Sequence, residues 1–220
     1  MSTPMIFWDV DTQRDFMEGS GALYVPGAEE IVSNLYRLSD KARELSIPIV
    51  ADADDHESWD LEISGEPDFQ TTFPPHCMHG TPGADRIAAT EQHWTLELGH
   101  ERRYPVNIRR GLDTDWPRLL LRKKELDIFS NPNTDTVLDL LRPASIVVYG
   151  VALDYCVRQV VDGLLERGYG DLVIITDATK AIYPERADLL LGRWSAGGVL
   201  LETTESFLRG LERPVRRAVG

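Results

Sequence analysis

The feature that most constrains this chain is a recurring pattern of short, β-branched apolar runs separated by longer amphipathic stretches. The runs fall at residues 5–10, 47–51, 119–121, 146–149, 172–175 and 199–201. Each is too short and too evenly apolar for a surface helix, and reads as a strand buried on both faces. Between the first two, residues 28–45 carry Ile31, Leu35, Leu38, Ala42 and Leu45 at helical spacing after the Pro26-Gly27 turn. Residues 155–167 repeat that pattern ahead of Gly168. Strands alternating with helices close through right-handed crossovers, so the expected fold is α/β. It is a three-layer αβα sandwich around a mainly parallel sheet of about six strands, Rossmann-like in outline. Ligands of such a sheet bind beyond the carboxyl ends of its strands.

A chain of 220 residues, 42% of them hydrophobic, can bury one large core, and a single domain over 1–220 is expected. Its least regular part, about 54–117, is dense in Pro, Gly, His and Trp, and is too long for a plain connection unless it carries function. A helix is expected inside it at 82–89. With 23 basic against 36 acidic residues the net charge is -13, which repels phosphate backbones and argues against nucleic acid or an anionic membrane as partner. A small neutral or cationic molecule suits better. The two cysteines form no CxxC pair and no disulfide framework, no apolar run approaches the ~20 residues needed to span a bilayer, and the start lacks an export signal. These points make a cytoplasmic protein the expectation. An Arg-rich tail occupies 213–217.

Chemistry-bearing residues gather at the predicted strand ends. The first strand runs into Asp9, Asp11 and Asp15, and strand alternation puts Asp9 and Asp11 on one face, where mutual repulsion raises the proton affinity of the more buried of them. Helix capping or pairing with Arg14 would account for them equally well. Cys156 falls in the first turn of a helix, where free amides and the helix dipole favour a thiolate and can accept an oxyanion, although a lone cysteine is more often an inert core residue. Lys123 and Lys124 close another apolar run, where a cation can reach that thiol. In the irregular segment Asp54, His56 and His76 offer one carboxylate and two imidazoles to a divalent metal. Asp52, Asp55 and His79 are alternative ligands; His93, His100 and Cys77 read as ordinary loop residues.

Taken in order, these segments resemble the nicotinamidase branch of the isochorismatase-like cysteine hydrolases, over most of the chain from Phe7 to about Thr204. The resemblance rests on Asp11-Thr12-Gln13-Arg14-Asp15-Phe16, on Asp54-Asp55-His56, on His76-Cys77 through Thr81-Pro82-Gly83-Ala84, and on Gly150-Val151-Ala152-Leu153-Asp154-Tyr155-Cys156-Val157. It implies Asp11 as catalytic acid/base, Cys156 as nucleophile, and the amides of Ala152 and Cys156 as oxyanion hole, with a cis peptide ahead of Ala152. Phe16 would flank the substrate ring. Because the family's lysine stands six positions before a phenylalanine, here Phe129, Lys123 is preferred over Lys124. Asp54, His56 and His76 would hold the metal, zinc before manganese or iron. The implied reaction converts nicotinamide to nicotinate and ammonia through a thioester, in a homo-oligomer; a carbamoyl, ureido or other small amide is the alternative substrate, and a noncatalytic binding protein of the same fold the third reading. Asp55 and Glu57 depart from the tryptophan and proline usual in nicotinamidases, and the segment 90–116 is longer than the family's.

Overall fold

A computed structural model describes residues 4–212, and the Arg-rich tail at 213–217 lies outside them. Seven strands form one parallel sheet. They are β1 (Met5–Val10), β2 (Ile49–Asp54), β3 (Leu96–Leu98), β4 (Arg118–Lys123), β5 (Ser145–Val151), β6 (Leu172–Lys180) and β7 (Leu200–Glu202), arranged in the order β3-β4-β2-β1-β5-β6-β7. The helices are α1 (Arg14–Met17), α2 (Val32–Leu45), α3 (Pro105–Leu112), α4 (Thr134–Leu141), α5 (Cys156–Glu166), α6 (Pro184–Ala196) and α7 (Thr204–Glu212).

The apolar runs become strands because both of their faces find cover. Every residue of β2 and of β5 is buried. On one face Phe7 packs against Phe207 of α7, while α2 buries Leu35, Leu38 and Ala42. On the other, Trp8 meets the ring of Phe129, against which α5 is seated through Gly163. A Cβ at Gly163 would stand 2.2 Å from Phe129 Cε2, so the absence of a side chain sets how closely helix and ring approach. Each fully buried large apolar side chain contributes about 1.5–3 kcal/mol, and the continuous cluster from Ile6 to Leu208 sums many of them.

The strand count is close to the expected one, and one expectation needs correction. The sheet has seven strands against about six expected: β3 lies within the irregular segment, at the edge beside β4, and is three residues long with only Leu98 buried. So short and half-exposed a strand leaves no period to detect. The helix expected at 82–89 is a single 3-10 turn at Pro82–Ala84. Beyond it the chain extends and pairs with the segment after β1, with Arg14 N–H donating to Asp85 O (2.8 Å) and Ile87 N–H to Thr12 O (3.0 Å). Arg86 is drawn inward by the buried carboxylate of Asp9, 2.5 Å away, and that ion pair outweighs local helix propensity.

Candidate active site

Strands β4, β2, β1 and β5 are neighbours, and their carboxyl ends deliver residues remote in sequence to one place. Register sets Asp54 beside Lys123 and Val10 beside both Asp52 and Gly150. Gly150, at φ 115, lets the two central strands close up: a Cβ there would lie 2.1 Å from Val10 O. The peptide that follows, Val151-Ala152, is cis. Cys156 then opens α5, so its N–H belongs to the helix turn that has no intrahelical acceptor.

Asp11 adopts φ 45, which turns it out of the alternation of β1. Hence Asp9 and Asp11 do not act on one face as expected. Asp9 pairs with Arg86 and accepts from Thr12 Oγ1 (3.0 Å), and burial first of all, with a small contribution from Asp11, raises its carboxyl above the ordinary range. Asp11 instead faces Lys123, whose Nζ lies 2.9 Å from Oδ2. That contact is poorly aligned for a hydrogen bond, and neither oxygen of this buried carboxylate accepts one among the described residues. Arg14 pairs with Glu18, and Asp15 accepts from the N–H groups of Cys77 and Ala22.

The fold buries Lys123 among charges. Its ammonium contacts Asp11 and Asp54 and donates to Cys156 Sγ at 3.7 Å. Burial works against its charge, yet Asp11, Asp54, Cys156 and Asp52 together hold it well above the usual lysine range. Burial is likewise the largest influence on the Cys156 thiol and drives it well up; Lys123 opposes this, while Asp11 and Asp54 add to it. The thiolate favoured by the helix terminus is thus opposed in the folded protein, where desolvation and two carboxylates push the thiol up against the pull of one cation. Lys124 points elsewhere, with Nζ 2.9 Å from both oxygens of Asp60.

Asp54, His56 and His76 converge, one donor atom from each lying within 4.8 Å of the others. Asp54 Oδ2 is 3.3 Å from His76 Nε2 and 3.6 Å from His56 Nε2. Tetrahedral ligands about 2 Å from a zinc ion stand about 3.3 Å apart, so these spans suit a shared ion. His76 Nδ1 is 2.8 Å from the Pro74 carbonyl, which can only accept; the proton belongs there and the Nε2 lone pair faces inward. His56 is fully buried, and neither ring nitrogen is hydrogen-bonded among the described residues. An orphaned buried imidazole beside a carboxylate suits a cation ligand, and the donor set fits a divalent ion. Burial would raise Asp54, but Lys123, His56 and His76 together hold it well below the carboxylate range.

Of the alternative ligands, Asp55 pairs at the surface with His79 (2.7 Å) and His100 (3.5 Å), while Asp52 accepts from Trp8 Nε1 (2.7 Å). Burial, followed by Asp11, pushes Asp52 well above the carboxylate range. Three residues escaped the sequence reading as site builders. Gln13 clamps the backbone of Asp54 from both sides (2.7 and 2.8 Å) and also holds Ala84 O. Asp52 had a signal, the Ala-Asp-Ala-Asp alternation closing β2, but was weighed only as a ligand. Glu62 is buried, accepts from Leu126 N–H (2.6 Å) and is raised first by burial; nothing periodic marks it.

Above Cys156 and His76 lies a cavity of about 30 Å³ whose other walls include Phe16, Phe73, Leu126, Tyr155 and Ile182, with Ala152 at its edge. The ring of Phe16 is 5.4 Å from that of His76. A wider hollow of about 790 Å³, around Arg86, Trp94 and Arg122, contains none of the convergent residues. Among the described residues no helix is long and apolar enough to cross a membrane.

Residues 6–206 match the family described as the isochorismatase domain. The chain is 28% identical over 177 residues to the nicotinamidase/pyrazinamidase of Mycobacterium tuberculosis, covering 79% of this chain and 84% of that one. It is 25% identical over 178 residues to an Arabidopsis thaliana protein described as a "probable inactive nicotinamidase", with 80% of each covered. Among solved structures, the pyrazinamidase of Pyrococcus horikoshii in complex with zinc shares the fold at a TM-score of 0.69 and 24% identity, over 90% of this chain and 98% of that one.

Proposed function

The chain belongs to the isochorismatase family, and on that premise we propose that it is a cysteine amidohydrolase acting on a small amide, nicotinamide before others. One observation carries the reading: a buried cysteine, a buried carboxylate that accepts no hydrogen bond among the described residues and the lysine between them meet at the carboxyl ends of neighbouring strands. An inert core thiol has no use for that arrangement. The relative described as inactive shows that family membership alone does not establish turnover, so the reading rests on Asp11, Lys123 and Cys156 together.

In this mechanism Asp11 takes the proton of Cys156 as sulfur attacks the carbonyl, and Lys123 stabilises the thiolate as it forms. The N–H groups of Ala152 and Cys156 receive the oxyanion. Asp11 returns the proton to the leaving ammonia, then takes one from the water that hydrolyses the thioester, releasing the acid. Asp54, His56 and His76 would hold a divalent ion, zinc before manganese or iron, whose Lewis acidity orients a substrate nitrogen.

The mainly aromatic and aliphatic lining of the cavity supports an uncharged ring as substrate. Lys123 is already engaged by Asp11 and Asp54, which leaves it no free charge for a substrate carboxylate. A reducing compartment suits the two free, buried cysteines. The test is ammonia release from nicotinamide by zinc-loaded protein with Cys156→Ala as control. Cys156-dependent release is the expected result; none from folded, metal-loaded protein would overturn nicotinamide as substrate.

A further inference from the structure

The imidazole of His56 lies between two carboxylates. At one end Nε2 faces Asp54 Oδ2 across 3.6 Å, and at the other Nδ1 faces Asp60 Oδ2 across 3.7 Å. Neither contact is a hydrogen bond, and the ring is wholly buried with no other polar partner among the described residues. Asp60 is itself held in place. Its Oδ2 accepts from Glu57 N–H (2.8 Å), its own N–H donates to Glu57 O (3.0 Å), and both of its oxygens accept from Lys124 Nζ at 2.9 Å. A carboxylate fixed by three contacts, whose Oδ2 also faces a buried histidine, does more than close a turn.

A neutral imidazole carries one proton and one lone pair. With the proton on Nε2, the lone pair of His56 would face the anionic Asp60, away from His76 and Asp54, and the three donors could not converge. With the proton on Nδ1, it points at Asp60 and the lone pair joins the Nε2 lone pair of His76 and Asp54 Oδ2. Closing the gap to Asp60 to a normal N–H···O distance needs a ring movement of about 0.8 Å.

We propose that Asp60, anchored by Lys124, is the positioning residue that fixes the Nδ1–H tautomer and orientation of His56 for metal binding. The inference rests on the metal reading of Asp54, His56 and His76. It also gives Lys124, adjacent to the catalytic lysine, a separate role, which is to hold the carboxylate that holds the ligand.

The test measures zinc dissociation constants of chelator-treated protein by competition with a chromophoric chelator. Wild type is compared with Asp60→Ala, Asp60→Asn and Lys124→Met, alongside thermal unfolding of each metal-free protein. Loss of such a partner typically weakens metal binding by about 10- to 100-fold, and that is expected for Asp60→Ala. Asp60→Asn, which preserves shape and the Glu57 contact, is expected to weaken zinc by a smaller factor with the metal-free unfolding temperature unchanged. Zinc affinity within threefold of wild type in both Asp60 variants would overturn the proposal, as would a lowered unfolding temperature with unchanged affinity. In zinc-loaded protein, nitrogen-15 shifts of His56 should show a protonated Nδ1 and a metal-bound Nε2; the reverse assignment also overturns it. Failure of wild type itself to take up zinc would instead sink the metal reading beneath it.

Discussion

Lys123 Nζ stands 3.7 Å from Cys156 Sγ, joining the end of β4 to the first residue of α5 across two intervening strands. The same ammonium pairs with Asp11, so one buried cation is shared by the nucleophile and the group positioned to take its proton. Burial and the nearby carboxylates push that thiol up, and the lysine opposes them. In the proposed mechanism proton transfer accompanies the attack, and Asp11, which accepts no hydrogen bond among the described residues, is the group that takes the proton.

Removal of the sulfur should abolish turnover and leave the pocket. Cys156→Ala is expected to lower kcat by at least about a thousandfold. Nicotinamide binding by zinc-loaded variant, measured by calorimetry, should persist. Retained turnover would exclude a Cys156 nucleophile.

The pH dependence of Cys156 alkylation should run late. Its thiol is raised, so iodoacetamide should react slowly at neutral pH and accelerate only above the range of an ordinary thiol, about 8.5. Asp11 is among the groups that raise it. Metal-free Asp11→Asn should shift the alkylation profile to lower pH while losing amide hydrolysis. A profile that stays put or moves upward would contradict the coupling.

His76→Ala removes a ligand whose lone pair points into the triad. Bound metal, measured by mass spectrometry after dialysis, should fall well below one equivalent and the apparent KM should rise. Undiminished metal content would exclude His76 as a ligand.

Lys123→Met leaves Asp11 and Asp54 buried without their shared cation. Breaking a buried ion pair from one side costs about 3–5 kcal/mol, and denaturant unfolding of metal-free protein should show a loss of that order. A change below about 1 kcal/mol would mean that the carboxylates protonate or hydrate without penalty.

Gly163→Ala brings a methyl group to 2.2 Å from Phe129, whose ring also packs against the Arg167 guanidinium, 3.6 Å from the ring centroid. Overpacking of this kind costs about 1–3 kcal/mol, against the usual gain of alanine over glycine inside a helix. A stabilised variant would show that the ring can yield.

Much of the architecture was written in local pattern. The run Met5–Val10 and the stretch Val32–Leu45 differ in the period of their apolar residues, and that period depends only on the backbone geometry of each element. The start of α5 at Cys156 was legible for the same reason. What local pattern could not carry was the turn of Asp11 away from Asp9, the separation of Lys123 from Lys124, and the extended path of 85–87 in place of a helix. Each of these depends on a partner from a distant element: Lys123 for Asp11, Asp60 for Lys124, Asp9 for Arg86. The upward shift of the Cys156 thiol belongs with them. A helix terminus and a nearby lysine can be read along the chain, but the energy of a buried charge is set by desolvation and by all its neighbours in space, and those exist only once the strands have been brought side by side.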